Sequence, residues 1–234
     1  MKKNYVIIGG SKGIGFFLVR KLVENGHHVT VISRNEDQLT YSPLITFVKA
    51  DVISDQFSNI VLPDVVDGLV YCPGSIVLKP FRSLSEDQFI EDYNINFLGA
   101  VRSIKLALSG LKKSQTSPGI VLFSTVAVTQ GMPFHASIAS AKGAVEGLVR
   151  SLAAELAPSI RVNCIAPSLT NTDLAAKILS SPEKAEAAAQ RHPLKTIGLP
   201  DDIASMANFL LSEDAKWISG QILHVDGGMS ALRV

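Results

Sequence analysis

The sequence has few of the residues that mark several large classes of protein. Cysteine occurs twice among 234 residues, as Cys72 and Cys164, which form neither a CxxC pair nor a disulfide-rich pattern. Two isolated cysteines are typical of buried free thiols in a reducing compartment. Charge of one sign is also lacking, since 22 basic residues face 21 acidic ones. A balanced charge gives no strong attraction for nucleic acid or an anionic membrane, so we expect neither partner.

Long apolar runs are lacking as well. No segment approaches the roughly 20 apolar residues that a membrane-spanning helix needs. The N-terminus leads from Met1 to Asn4 directly into a short apolar run, without the longer apolar region and cleavage site of a signal peptide. The histidines match no zinc-ligand spacing, so we expect no metal site. These absences together predict a soluble, cytoplasmic protein.

What the sequence does contain is an alternation of apolar runs and longer amphipathic segments. Seven short runs predict strands, at residues 5–8, 29–32, 45–48, 68–71, 119–123, 160–165 and 221–225. Apolar residues at helical spacing predict helices, at residues 14–24, 86–109, 135–156 and 201–211. Fully apolar strands separated by helices indicate an α/β fold, in which helices cover both faces of a parallel sheet.

The chain shows no repeat, low-complexity tract or linker that would divide it. We therefore predict one domain over residues 1–234. Residues 171–195 are polar and alanine-rich, and they are too irregular for the sheet layer. We expect this segment to form a lid over a site.

A glycine-rich turn joins the first predicted strand to the first predicted helix. Glycine is needed there so that the chain can turn tightly, let a phosphate approach the backbone, and pack helix against strand. The free amides at the start of the helix then bind a pyrophosphate. The turn predicts a dinucleotide site formed by Gly9, Ser11, Lys12, Gly13, Ile14 and Gly15.

The end of the second predicted strand bears on the choice of cofactor. An acidic residue there would bind the ribose hydroxyl of NAD, but the chain has Ser33 and Arg34. Arg34 and Lys12 can both face a 2′-phosphate, so NADP(H) is favoured over NAD(H). The alternative is that both side chains are solvated surface cations.

Several later segments follow one another along the chain: Asn94 to Gly99, Arg161-Val162-Asn163 with Ala166-Pro167, Pro193-Leu194 with Gly198 and Pro200, and Val225-Asp226-Gly227-Gly228. With the glycine turn, they resemble the short-chain dehydrogenase/reductase family over essentially the whole chain. The resemblance implies a doubly wound Rossmann sheet with strand order 3-2-1-4-5-6-7. It also implies a homodimer or homotetramer that moves a hydride between a nicotinamide and a small carbonyl or alcohol substrate.

The resemblance extends to further cofactor contacts. It implies an adenine contact at Asp51 and Val52, and a nicotinamide ribose contact at Lys142. Further contacts fall on Pro73 and Gly74 after the fourth strand and on Pro167, Thr170 and Thr172 after the sixth. The chain departs from the family at Ile8, where a threonine is usual, and in the loop Tyr71-Cys72-Pro73-Gly74, where Asn-Asn-Ala-Gly is usual.

The family's proton donor is also absent from its usual place. The family has a tyrosine four residues before the lysine, and here that position is Ile138, which can neither donate nor accept a proton. The family's catalytic serine falls on Thr125, whose hydroxyl can do the same work. The family's helix asparagine falls on Asn96. The resemblance thus implies a catalytic group of Asn96, Thr125 and Lys142 without its acid.

His135 is the candidate for the missing donor. It lies seven residues before Lys142, about two helical turns, so both point the same way if the helix extends that far. The enoyl-thioester reductase branch of the superfamily has its tyrosine at this spacing, with an apolar residue at the usual tyrosine position. Imidazole titrates near neutrality and can give or take a proton. The alternative is a histidine that starts a helix and only bonds the backbone.

Two functional hypotheses follow. The first is an NADP(H)-dependent oxidoreductase with a non-standard proton donor, which reduces a small ketone or an activated C=C bond. The second is a protein that binds NADP(H) without turnover and acts as a sensor or partner subunit. Ile138 motivates the second hypothesis, whereas the retained Asn96, Thr125 and Lys142 favour the first.

Overall fold

The computed structural model describes residues 2–233 and contains one seven-stranded sheet. Each neighbouring pair of strands is parallel, and the order is β3-β2-β1-β4-β5-β6-β7. The predicted doubly wound sheet and its strand order are therefore confirmed. The strands are β1 Asn4–Ile8, β2 His28–Ser33, β3 Ile45–Lys49, β4 Gly68–Tyr71, β5 Gly119–Phe123, β6 Arg161–Pro167 and β7 Ile222–Val225.

Helices cover both faces of the sheet, which is why its central strands β1, β4 and β5 are almost entirely buried and apolar. Along β1, Val6 and Ile8 pack into one apolar cluster, and Tyr5 and Ile7 pack into another on the opposite face. The first cluster is closed by the helices Gly99–Lys113 and Ala136–Leu156, and the second by the helices Gly13–Glu24 and Pro200–Leu211. The helices are α1 Gly13–Glu24, α2 Glu86–Tyr93, α3 Gly99–Lys113, α4 Val126–Thr129, α5 Ala136–Leu156, α6 Pro182–Gln190 and α7 Pro200–Leu211.

The sheet reverses its winding between β1 and β4. The two strands pair directly, with Ile8 opposite Tyr71, and the Cys72 amide continues the pairing by donating to the Ile8 carbonyl at 2.9 Å. The chain leaves β1 toward one face of the sheet and leaves β4 toward the other, so a crevice opens beyond the carboxyl ends of these two strands. In open α/β sheets, ligands bind in that crevice.

The predicted helix at residues 86–109 differs from the structure in two ways. The helix runs on to Lys113, and it is interrupted by a wide π-helical turn at Asn94–Leu98. Within this turn the side chain of Asn96 donates to the backbone carbonyl of Asp92 at 2.9 Å. Such turns often occur at functional sites, where they re-aim a side chain.

Two further expectations need correction. The helix predicted from residue 135 begins at Ala136, because His135 has a non-helical backbone and forms its N-terminal cap. The segment predicted as irregular contains a short turn at Asp173–Ala175 and the nine-residue helix α6. That helix begins with Pro182 after Ser181, whose hydroxyl accepts from the Lys184 amide, an arrangement that favours a helix start.

Candidate active site

Two cavities of nearly equal volume lie beyond the carboxyl edge of the sheet. One, of about 460 Å³, contains Lys142 in its wall and is called here the lysine cavity. The other, of about 450 Å³, is formed around the glycine turn and is called the glycine cavity. Gly74 and Thr172 line both cavities, so the two adjoin at the topological switch point.

The glycine turn forms one wall of the glycine cavity. Gly9 and Gly13 have φ values of +73° and +55°, a left-handed conformation that favours glycine. A Cβ at Gly15 would lie 2.3 Å from the Gly9 carbonyl oxygen, which leaves no room for a side chain. The six residues predicted for the dinucleotide site all line this cavity: Gly9, Ser11, Lys12, Gly13, Ile14 and Gly15.

The segment after β2 is bonded to the glycine turn. The Ser11 hydroxyl donates to the Asp37 carboxylate at 2.9 Å, and the Gln38 amide donates to the Ser11 carbonyl at 3.0 Å. Asp37, with φ of +44°, thereby lines the glycine cavity. The sequence analysis missed this residue, because only the tertiary contact with Ser11 places it there.

The two cations predicted to face a phosphate have different surroundings. Lys12 lies 3.6 Å from the Asp173 carboxylate across the cavity mouth, but both side chains are more than half exposed, so the pair is weak. Among residues 2–233, no carboxylate lies within ion-pair distance of Arg34, which also lines the glycine cavity. Arg34 is therefore the cation that can bind an anion without breaking an existing contact.

Ser33 provides a direct test of whether the cavity fits a dinucleotide. Its hydroxyl oxygen is buried at the end of β2 and has no hydrogen-bond partner in the described part of the chain. An unsatisfied buried hydroxyl costs roughly 1–3 kcal/mol. A ribose hydroxyl or phosphate oxygen would satisfy it. The predicted contacts Asp51 and Val52 line the same cavity, so the residues present fit the adenosine half of the cofactor.

Lys142 lies on α5 and is buried in the wall of the lysine cavity. Burial lowers the pKa of its ammonium to about 8, although Cys164, Cys72 and Asp92 nearby favour the charged form. Burial also raises the pKa of the Cys72 thiol to about 12. The side chain thus enters the cavity as a cation that is easily deprotonated, beside neutral thiols.

Asn96 faces the same gap as Lys142. Its side-chain amide donates to the Ser75 hydroxyl at 3.0 Å, while its Oδ1 is buried without a partner among residues 2–233. A Cβ at Gly74 would lie 3.2 Å from that Oδ1 and 4.0 Å from the Lys142 Nζ. The glycine therefore keeps an unpaired acceptor and an ammonium open to a common space, which a water or a ligand hydroxyl can enter.

A buried carboxylate fixes the position of Asn96. Asp92 is fully buried and accepts hydrogen bonds from the hydroxyls of Ser75 at 2.5 Å and Ser137 at 2.7 Å. The sequence analysis missed this network. A usable signal was the i, i+4 spacing of Asp92 and Asn96 on one helix, which places both side chains on one face.

Thr125 and Ile138 both line the lysine cavity. Thr125 follows β5 and caps α4, and its Oγ1 accepts from the Ala127 amide at 3.3 Å. The hydroxyl proton is therefore free to be donated into the cavity. Ile138 is buried on α5, where it presents only hydrocarbon.

His135 also lines the lysine cavity, directly before α5. Its Nδ1 lies 2.8 Å from the Pro133 carbonyl, which can only accept, so Nδ1 carries a proton. In the neutral ring, Nε2 is then the free proton acceptor. Phe134 has φ of +70°, which non-glycine residues rarely adopt. The sequence also allowed a His135 that only bonds the backbone. That bond is present at Nδ1, and it leaves Nε2 available.

The loop after β6 completes the lysine cavity. The predicted residues Pro167, Thr170 and Thr172 line it, and Pro73 lines the glycine cavity. Ser168 and His192, which the sequence analysis missed as a pair, meet at 2.8 Å between hydroxyl and Nε2. Every residue predicted for the site thus lies in one of the two adjoining cavities, and their individual roles stay predictions.

Neither a metal cluster nor a membrane span is found in the described structure. Among residues 2–233, no three histidine, cysteine, aspartate or glutamate side chains lie where they could share a metal ion. None of the described helices is both long and apolar enough to cross a bilayer.

Comparison with known proteins agrees with this geometry. A family model described as enoyl-(acyl carrier protein) reductase matches residues 9–230. The 3-oxoacyl-[acyl-carrier-protein] reductase FabG of Chlamydia trachomatis is 30% identical over 98% of both chains. The L-xylulose reductase of Bos taurus is 28% identical over 98% of this chain and 97% of its own.

Solved structures show the same fold over nearly the whole chain. The aldohexose dehydrogenase of Thermoplasma acidophilum superposes with a TM-score of 0.91 at 27% identity, covering 99% of this chain and 95% of the other. The structure of ElxO with NADP bound gives a TM-score of 0.90 at 29% identity, covering 99% and 100%.

The fold and the two cavities define the class as doubly wound α/β proteins with a cleft at the sheet's switch point. Within that class, the chain belongs to the short-chain dehydrogenase/reductase family, an oxidoreductase family. The resemblance drawn from the sequence motifs is confirmed.

Proposed function

We propose that the chain is an NADP(H)-dependent oxidoreductase whose proton donor is not the family's tyrosine. One observation carries this proposal. Asn96, Thr125, His135 and Lys142 line a single cavity that adjoins the glycine cavity. By the resemblance to the family, Ile138 takes the place of the usual tyrosine on α5. The substrate is a small ketone or an activated C=C bond.

The preference for NADP(H) over NAD(H) rests on the glycine cavity. Arg34 lines the cavity without a carboxylate partner among the described residues, and Ser33 offers an unsatisfied hydroxyl beside it. Both groups suit a 2′-phosphate. The bound NADP of ElxO, a protein of similar structure, supports the same choice. Asp37 opposes it, since its carboxylate lines the same cavity.

In the lysine cavity, the chain's residues bind and orient the reacting groups. Lys142 binds the nicotinamide ribose, and Asn96 accepts a hydrogen bond through its free Oδ1. The nicotinamide supplies the hydride. Thr125 donates a hydrogen bond from its free hydroxyl to the substrate oxygen. The largely apolar wall excludes water, which strengthens these polar contacts.

His135 delivers the proton in this proposal. Its Nδ1 is held by the Pro133 carbonyl, so the ring orientation is fixed and Nε2 is the nitrogen that gains and loses the proton. Carbonyl reduction is favoured by the overall family match, and alkene reduction by the spacing of His135 and Lys142. Deuterium from labelled NADPH ends on the former carbonyl carbon in the first case and on a β-carbon in the second.

The non-catalytic alternative rests on Ile138 alone. Its buried hydrocarbon at the cavity wall gives the site no phenol. Tight binding of NADPH without its oxidation by ketones, quinones or enoyl thioesters would favour this sensor or partner role. We also propose that the chain forms one cytoplasmic domain, acts as a homodimer or homotetramer, and uses residues 171–195 as its lid.

The test of the proposal is the pair of variants Ile138→Tyr and Ile138→Phe. Both introduce an aromatic ring at the cavity wall, and only tyrosine adds a hydroxyl. We expect Ile138→Tyr to raise ketone reduction at least ~10-fold over the parent, because a positioned general acid contributes about 10²–10⁴-fold. Ile138→Phe should give no gain. Equal activities of the two variants, with NADPH binding intact, would contradict the proposal that Asn96, Thr125 and Lys142 form a working reductase site that lacks only the family's tyrosine.

A further inference from the structure

The ionisable side chains in the wall of the lysine cavity are one-sided in charge. In the described part of the chain, they are Cys72, His135, Lys142, Arg191 and His192, and no aspartate or glutamate is among them. Most of the remaining wall is apolar. The proposed reaction uses His135 and Lys142, but it assigns no work to Arg191.

Neither full cation of this wall is neutralised by the protein. Among residues 2–233, no carboxylate lies within ion-pair distance of Lys142 or Arg191. Asp92 is near Lys142, but the hydroxyls of Ser75 and Ser137 already bind its oxygens. A cation beside apolar surface attracts an anion more strongly than it would in open water. The cavity therefore favours a negatively charged ligand.

The position of Arg191 is fixed by the residue that follows it. Arg191 ends α6, where its side chain remains exposed at the cavity mouth, and His192 is buried directly behind it. The His192 Nδ1 donates to the Ala188 carbonyl at 2.9 Å, and its Nε2 lies within hydrogen-bond distance of the Ser168 hydroxyl, at 2.8 Å. This pair ties the end of α6 to the loop after β6, so the backbone of Arg191 is held beside the cavity.

Lys142 is committed to the cofactor in the proposed function, which leaves Arg191 for the substrate. We infer that the substrate of the lysine cavity carries a compact anion, a carboxylate, bound by Arg191 at the mouth. Apolar side chains along the wall, Ile76, Leu78, Met132, Leu174 and Ile178, contact its carbon chain. The reducible group then lies deeper, toward Thr125 and Lys142.

The cavity volume limits the size of this substrate. About 460 Å³ has to accept the nicotinamide end of the cofactor as well as the substrate, because Thr172 and Pro167 line the same space. A short-chain oxo acid fits that description. The reductive reaction class rests on the proposed function, but binding of the acid does not depend on turnover.

The experiment compares hexanoate with hexanamide, which differ in charge and little in shape. Binding is measured by calorimetry, with and without saturating NADPH. We expect hexanoate to bind at least ~10-fold more tightly, as a charge-assisted contact should allow. Added sodium chloride should reduce that difference in the unmodified chain. Arg191→Gln should abolish the preference for hexanoate over hexanamide, and Arg191→Lys should keep part of that preference. Lys184→Gln removes a charge from the same helix outside the cavity and should leave it unchanged.

The outcomes separate this inference from the proposed function. Equal binding of hexanoate and hexanamide, or a preference that survives Arg191→Gln, would overturn it. So would preference for pentyl phosphate over hexanoate, since the site would then select phosphate. Arg191-dependent hexanoate binding without NADPH oxidation by any oxo acid would support the anion site and count against the oxidoreductase. Oxidation of NADPH by neutral ketones, with no preference for acids, would support the oxidoreductase and count against the anion site.

Discussion

The lysine cavity and the glycine cavity are nearly equal in volume, at about 460 and 450 Å³, yet they are built differently. The glycine cavity is shaped by backbone, at the turn from Gly9 to Gly15, and its charged side chains have both signs: Lys12, Arg34, Asp37, Asp51 and Asp173. The lysine cavity is shaped by side chains from distant segments, and its full charges are positive. Backbone geometry restricts the glycine cavity to one kind of ligand, whereas side chains adapt the lysine cavity to its substrate.

The largest effect on cofactor binding is expected at the glycine turn, where the backbone shapes the cavity. A Cβ at Gly15 would meet the Gly9 carbonyl at 2.3 Å, so Gly15→Val should abolish NADPH binding, with at least ~100-fold loss of affinity, and also destabilise the fold by a few kcal/mol. Fluorescence titration and thermal unfolding measure the two effects. Gly147→Ala is the control, because its Cβ would meet nothing within 4 Å, and it should be neutral or stabilising.

Lys142→Met should have the next largest effect, because it removes the only buried cation of the lysine cavity in the described structure while keeping its volume. We expect kcat/KM to fall by about 100-fold or more. Binding of an NADPH analogue that lacks the nicotinamide ribose should hardly change. A variant with near-native kcat/KM would show that Lys142 is only a solvated helix residue.

The same lysine predicts a pH dependence. Its pKa is about 8 in the folded chain and 10.5 when exposed, because burial disfavours the charged form. The penalty on folding is therefore complete below pH 8 and is relieved as the pH rises from about 8 to 10.5. The stability of the parent relative to Lys142→Met should rise over that range in thermal unfolding. Activity that depends on the ammonium should instead fall around pH 8, where the folded chain loses this proton. A stability difference and an activity that both stay flat with pH would contradict the assignment.

The mixed charges of the glycine cavity predict opposite effects on cofactor choice. Arg34→Leu should lower NADPH affinity about 10–100-fold and leave NADH affinity unchanged, because it removes a charged contact to the 2′-phosphate. Asp37→Asn should raise NADPH affinity a few-fold by removing a like charge. Asparagine tolerates the left-handed backbone at this position and keeps a partner for Ser11. Equal changes in the affinities for NADH and NADPH would show that neither residue contacts the 2′-phosphate.

The smallest effect is expected at Ser33, where one substitution should change NADPH affinity and the stability of the free chain in different directions. Ser33→Ala removes a buried hydroxyl that has no partner in the described structure, so the free chain should be equally or more stable. NADPH affinity should nevertheless fall by about 0.5–1.5 kcal/mol, the value of one hydrogen bond. Calorimetry and denaturant unfolding measure the two quantities. A loss of stability with unchanged NADPH affinity would mean that Ser33 has a structural partner instead.

The same contrast between the cavities explains what could be predicted from sequence. The sheet, its order and the glycine turn follow from local patterns, such as apolar runs and the spacing of Gly9, Gly13 and Gly15. Asn96, Thr125 and Lys142 required the family motifs, because they lie on different elements that only the fold brings together. His135 was placed in the first turn of α5, and the structure shows it one residue earlier, as the cap.

The residues that sequence analysis missed depend on tertiary contacts. Asp37 enters the glycine cavity because Ser11 binds it, and His192 reaches Ser168 from the end of a helix that was predicted as irregular. Nothing in the local sequence of either pair specifies its partner. The helix α6 was missed because alanine-rich polar segments lack the apolar periodicity that indicates a packed helix.

The central claim is that the chain still transfers hydride although Ile138 provides no acid. The most direct test titrates the protein with NADPH by fluorescence, and then adds small ketones, oxo acids and enoyl thioesters in the same cuvette. The account predicts saturable binding of NADPH, tighter than of NADH, followed by its oxidation by a member of the panel and loss of that oxidation in His135→Ala. Saturable binding without oxidation by any substrate would contradict it.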